Sequence, residues 1–139
     1  GAALLAVKDN QTETIWARDG VMSNQYATCV LHKGHLYGFH GRADAGGCEL
    51  RCVELKTGKV KWSQPGLRSG TVLLAGNELL ILTERGELLR APSDPVSFRP
   101  TARAQILGFT VRACPALANG RLYARDNNHF VCVDLRKPE

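Results

Sequence analysis

The stretch Val72-Leu73-Leu74-Ala75-Gly76-Asn77-Glu78-Leu79-Leu80-Ile81-Leu82 decides the fold. A Gly-Asn pair between two apolar runs is a two-residue hairpin signal, because both residues tolerate the positive φ of a type I′ turn. The arrangement recurs at a step of 43 residues in both directions: Leu31, Leu74 and Leu117 are evenly spaced, and so are Leu36, Leu79 and Leu122. Between them stand Lys33-Gly34, Gly76-Asn77 and Asn119-Gly120. Three hairpins therefore start in register. They join Cys29 to Leu31 with Leu36 to Phe39, Val72 to Leu74 with Leu79 to Leu82, and Pro115 to Leu117 with Leu122 to Arg125. This is a repeat protein.

A third strand follows each hairpin: Leu50 to Leu55, Leu88 to Ala91 and Phe130 to Leu135. Turns at Gly41 to Gly47, Arg85-Gly86 and Asn127-Asn128 introduce them. Val60 to Trp62 reads as a fourth strand, and so does Arg103 to Leu107 after a loop holding Pro92, Pro95 and Pro100. At the other end, Leu4 to Val7 and Thr14 to Trp16 read as the third and fourth strands of an earlier, truncated repeat. The tally is about thirteen short strands, with no segment of helical period. Four-strand units repeating near 40–45 residues are the mark of β-propeller blades. One such sheet cannot bury both faces alone, whereas stacked neighbours bury them, which explains the unbroken apolar run Leu79 to Leu82. A two-sheet sandwich is the rival all-β arrangement, but it requires no repeated turn chemistry. The fold class expected is all-β, a propeller fragment of about three four-stranded antiparallel blades. Residues 1–139 form a single segment with a partial blade at 3–18, blades at about 24–64 and 67–108, and a partial blade at 111–136.

One repeat carries a more specific pattern. Cys52-Val53-Glu54-Leu55-Lys56-Thr57-Gly58-Lys59-Val60-Lys61-Trp62 resembles the PQQ-type propeller repeat, whose usual form is A-x-D-x-x-T-G-K-x-x-W. Thr57, Gly58, Lys59 and Trp62 match directly, while Cys52 and Glu54 replace the usual Ala and Asp. Cys132-Val133-Asp134-Leu135 repeats the start of the motif with Asp134 in its expected place, and the first partial repeat keeps Trp16. The second repeat substitutes the proline-containing loop. The family includes quinoprotein alcohol dehydrogenases, the outer-membrane assembly scaffold of the BamB type and many bacterial PQQ-like proteins, whose C-terminal blades this chain resembles most. The resemblance implies a bacterial parent, exported or periplasmic, and an indole at Trp62 that docks onto the neighbouring blade. Thr57-Gly58 suits a tight turn between third and fourth strands, since Gly reaches backbone angles closed to other residues.

The remaining composition bounds the function. The chain has 44% hydrophobic residues, enough for a core, and 14 Gly with 6 Pro spread along it favour turns over long helices. Its longest apolar run is far below the ~20 residues of a membrane span, so no membrane span and no leader is read here. A net charge of +5 permits nucleic acid, yet the basic residues never cluster beyond pairs such as Arg136-Lys137 and His32-Lys33. They read as scattered solvated charges, and no nucleic-acid partner is expected. Five cysteines (Cys29, Cys48, Cys52, Cys114, Cys132) never form C-x-x-C, which disfavours a structural zinc. Cys52 and Cys132 lie in apolar strands and read as small buried hydrophobes, and a Cys48–Cys52 disulfide is conceivable.

Enzyme motifs fail one by one. Gly41-Arg42-Ala43-Asp44-Ala45-Gly46 has phosphate-loop glycine spacing, but Gly47-Cys48 follows where Lys-Ser/Thr is required. His32, His35, His40 and His129 lie in or beside turns without metal-ligand spacing, although His32 and His35 can meet across one turn. Neither Ser23 nor Ser69 sits in G-x-S-x-G. Asp126-Asn127-Asn128-His129 offers oxygens, but these are also ordinary hairpin-turn residues. No catalytic, cofactor-binding or metal residue is assigned, and no cofactor is expected. The reading is a noncatalytic scaffold or interaction module, part of a longer propeller. It would engage a protein partner or a second copy of itself through open blade edges. The alternative from the resemblance is a fragment of a PQQ-dependent quinoprotein dehydrogenase. Those enzymes hold PQQ and calcium on a central axis, often with two adjacent cysteines, which this sequence lacks.

Overall fold

The structure, a computed structural model, describes residues 1–136; Lys137 of the basic pair noted above lies outside the described residues. The described residues are all-β, with thirteen strands in four antiparallel sheets and one turn of 3-10 helix at Ala43–Ala45. The first sheet pairs β1 (Ala2–Lys8) with β2 (Gln11–Arg18). The second runs in chain order through β3 (Val30–His32), β4 (His35–His40), β5 (Glu49–Glu54) and β6 (Val60–Gln64). The third follows the same path through β7 (Gly70–Ala75), β8 (Glu78–Thr83), β9 (Glu87–Pro92) and β10 (Ala102–Gln105). The fourth holds β11 (Ala116–Ala118), β12 (Arg121–Arg125) and β13 (Phe130–Asp134). Two sheets are four-stranded, and the outer two have two and three strands.

The 43-residue step reappears as cross-strand register. Leu31 faces Leu36, Leu74 faces Leu79, and Leu117 faces Leu122. Lys33-Gly34 and Asn119-Gly120 take positive φ at both turn residues, as type I′ requires. Gly76-Asn77 departs from that expectation, because only Gly76 is positive (φ 62°), the habit of a II′ turn.

Period-2 alternation then divides the apolar residues between two interfaces. Along β8, Leu79 and Ile81 pack with Tyr37, Phe39, Leu50 and Cys52 of the second sheet. Their neighbours Leu80 and Leu82 pack with Leu122 and Ala124 of the fourth. Trp16 of the first sheet packs with Val53 of the second, sealed by Val21 and Met22 from the intervening connection. Three cores therefore separate four sheets stacked face to face in chain order. This is why Leu79 to Leu82 lacks polar alternation: both of its faces are covered. Cys132 corrects an expectation. It is exposed, because it lies on the outer face of the last sheet, where no other described sheet packs, whereas Cys52 is fully buried between sheets. All five cysteines are free thiols, Cys48 and Cys52 included. Among the described residues no helix is long and apolar enough to cross a membrane.

Candidate functional site

The motif residues converge on the junctions between sheets. Trp16 on β2 and Trp62 on β6 hold the same register: Leu4 faces Trp16, Cys52 faces Trp62, and a one-residue irregularity follows in both pairs. Each indole reaches the next sheet. Trp16 Nε1 donates to the Leu55 carbonyl at 2.8 Å, and Trp62 Nε1 donates to the Asp94 carbonyl at 2.9 Å. Both acceptors lie just after a third strand, Leu55 directly after β5 and Asp94 one residue further on after β9, so each bond ties a sheet to its successor near the end of that strand.

The Thr57-Gly58-Lys59 turn is the seat for Trp16. Gly58 N–H donates to the Glu54 carbonyl at 2.9 Å and Glu54 N–H to the Lys59 carbonyl at 2.8 Å, closing the turn between β5 and β6. Thr57 donates its hydroxyl to the Glu54 carboxylate and accepts the Lys59 N–H at 3.2 Å. The hydroxyl holds Glu54 below its usual range. Gly58 is needed twice over. Its φ is +67°, and a Cβ there would stand 3.0 Å from the Trp16 ring. Lys59 is exposed and offers only its backbone. Trp62 is half-buried, with its ring centroid 6.0 Å from Tyr37 and 5.7 Å from Phe98. The proline loop that replaces the motif in the third sheet supplies Asp94 and Phe98 as this second seat. Asp134 stands at the Glu54 position, exposed, and bonds Arg136, whose guanidinium lowers its pKa.

A second constellation lies at the far ends of the second strands. His40, Thr83 and Asp126 are spaced by 43 residues, a regularity that self-comparison of the sequence contains but that the turn-based reading passes over. His40 Nδ1 accepts the Ser23 N–H at 3.0 Å, and burial and the Arg51 charge lower its pKa. Arg51 donates to the Val21 carbonyl at 2.8 Å and pairs with Glu49. Asp126 is buried, accepting the N–H groups of Asn128 at 2.7 Å, Gly108 at 2.9 Å and His129 at 2.6 Å. These donors hold its carboxyl at about 2. Glu84, also buried, takes Ser69 Oγ at 2.8 Å and pairs with Arg68 at 3.1 Å. These groups spend their polar atoms on tying the inter-sheet connections to strand ends, which is a structural use.

The other candidates meet in pairs at most, His129 Nδ1 lying 3.4 Å from the Asp126 carboxylate. His32 and His35 do face each other across the Lys33-Gly34 turn, with His35 Nδ1 bonded to the Lys33 carbonyl. No three His, Cys, Asp or Glu side chains converge to hold a metal among the described residues. The Gly41 to Gly47 loop contains the 3-10 turn, pinned by Gln25 accepting the Ala43 N–H. Ser23 Oγ accepts from the Gly1 ammonium at 3.0 Å and Ser69 Oγ donates to Glu84, and among the described residues neither hydroxyl is bonded to an imidazole.

No protein-family model and no curated protein matches the chain. Among solved structures it is similar to the crystal structure of the computationally designed Ika8 protein, at 11% identity and a TM-score of 0.46. That match covers 86% of this chain and 54% of the designed one, so the chain spans about half the length of the structure it matches.

Proposed function

We propose that this chain is a noncatalytic, propeller-type interaction module of the PQQ-like repeat kind, and that its partner is a second copy of itself. The observation that carries the reading is a repeated face that no described residue covers. Tyr123 opposite Cys132 on the fourth sheet stands in the register of Tyr37 opposite Cys52 on the second. Tyr37, Leu50 and Cys52 are buried beneath the third sheet, while Phe130, in the Leu50 position, is 70% exposed. At the opposite end the first sheet exposes Leu5, Val7 and Ile15. Leu5 aligns with Val53, which lies on the face that receives the preceding sheet. The two ends of the stack are thus complementary in the way consecutive sheets are. Docking the last sheet of one copy on the first of another is a heterologous contact, which forms rings when its rotation closes.

Sedimentation across a concentration series tests this. A reversible dimer is expected, along with its loss in Phe130→Lys, which places a charge on the face. Cys132 should be shielded from a thiol reagent as concentration rises, while Cys114 stays reactive. A compact monomer at every concentration, with Cys132 always reactive, would overturn the reading.

A further inference from the structure

The third junction differs from the other two at one register position. Cys52 faces Trp62 in the second sheet; in the third, Arg90 faces Ala102, and Leu80 faces Arg90 as Tyr37 faces Cys52. Ala102 therefore stands where Trp16 and Trp62 stand in the sheets before it. A cavity of about 370 Å³ opens there between the third and fourth sheets. Leu80, Leu88 and Ala102 form one wall, and Leu117, Val133 and Leu135 the other. Its volume falls within the range of small-molecule pockets, and its lining is apolar with a polar margin. That margin is the Arg90–Glu78 ion pair, at 2.8 Å.

The acceptor that receives the Trp16 indole at the first junction has a counterpart here. Leu55 N–H donates to the Gly34 carbonyl at 2.9 Å, and Leu135 N–H donates to the Gly120 carbonyl at 2.8 Å. Leu135 thus holds the place of Leu55, whose carbonyl takes the Trp16 N–H. The fold supplies a slot, an apolar lining that includes Leu135, and a carbonyl at the Leu55 register position, with a methyl group in place of the ring.

We propose that this cavity is a binding site for a small planar aromatic molecule of indole size carrying a ring N–H. The aromatic body would lie between Leu88 and Leu117, and its N–H would donate to the Leu135 carbonyl. The site is independent of the end-face docking proposed above, because it lies inside one chain between two sheets already in contact.

Indole is the probe. Titration into the intact chain, followed by calorimetry and by methyl NMR, should show saturable one-site binding. The largest shifts should fall on the Leu80, Leu88, Leu117 and Val133 methyls. Ala102→Trp should fill the cavity with the chain's own ring, raise the unfolding midpoint and abolish the binding. 1-Methylindole, which lacks the donor, should bind about fivefold more weakly. Absence of saturation with the parent chain, shifts centred elsewhere, or equal affinity for 1-methylindole would each overturn the proposal. So would indole binding that persists in a folded Ala102→Trp variant. Should that variant not fold, the methyl map of the parent decides on the same terms.

Discussion

Replacing Trp16 with Ala should detach one sheet and leave the others standing. Trp16 is 9% exposed, its ring lies over Gly58, and its N–H is bonded to Leu55 across the first junction. Truncating a buried Trp costs about 3–5 kcal/mol. The loss includes a hydrogen bond whose carbonyl keeps no partner from the first sheet. In a stack of sheets each unit is held chiefly by its nearest neighbours, so the cost falls on one interface rather than on the whole chain. The first sheet has only two strands, and a lone two-stranded hairpin is marginal in water. Residues 2–18 should therefore open in Trp16→Ala while β7 to β9 remain closed. Native-state hydrogen exchange reads this amide by amide. Protection of the β1 and β2 amides should fall by about a hundredfold or more, equivalent to about 2.7 kcal/mol, with little change in the third sheet. An equal fall in all four sheets would refute the nearest-neighbour reasoning, and no fall in the first would refute the assigned role of Trp16.

Trp62→Ala strikes a middle junction, so it should lower the global unfolding midpoint; the half-buried ring is worth about 2–3 kcal/mol, or roughly 5–12 °C, and a variant that unfolds like the parent would remove Trp62 from the structural motif. Asp126 is held at about 2 against an ordinary value of 3.8, so the stability it contributes is present above about pH 4 and is lost as pH falls through about 2. Thermal melts should therefore show the parent losing more stability than Asp126→Asn across that acid window; parallel losses would refute the role given to its three N–H donors. Cys52 is fully buried and its thiol is pushed up to about 11 by burial, so it should resist alkylation until the chain unfolds, whereas Cys114 reacts in the native state; peptide mapping after a short pulse of reagent distinguishes them.

Local chemistry repeated at a fixed interval made much of this architecture legible. Gly and Asn at hairpin positions set the turns, and the leucines flanking them set which residues pair, because a two-residue loop leaves little choice of register. The four strand groups and the tight turn at Thr57-Gly58 follow from those short-range rules, whereas its use as a seat for Trp16 does not. Tertiary structure alone decided which repeats are covered. Cys52 and Cys132 share a local sequence and a register, yet one is sealed and the other open, because burial depends on the next sheet rather than on the strand. The same holds for Trp62 and Ala102. A strand pattern records that a position faces a neighbour; what the neighbour fills, and whether a ring or a cavity of about 370 Å³ lies between them, is settled by side chains far apart along the chain. Asp126 makes the point for polar groups. Its sequence neighbours mark a turn, but it also binds Gly108, 18 residues away, and only the stacked sheets bring that N–H to it.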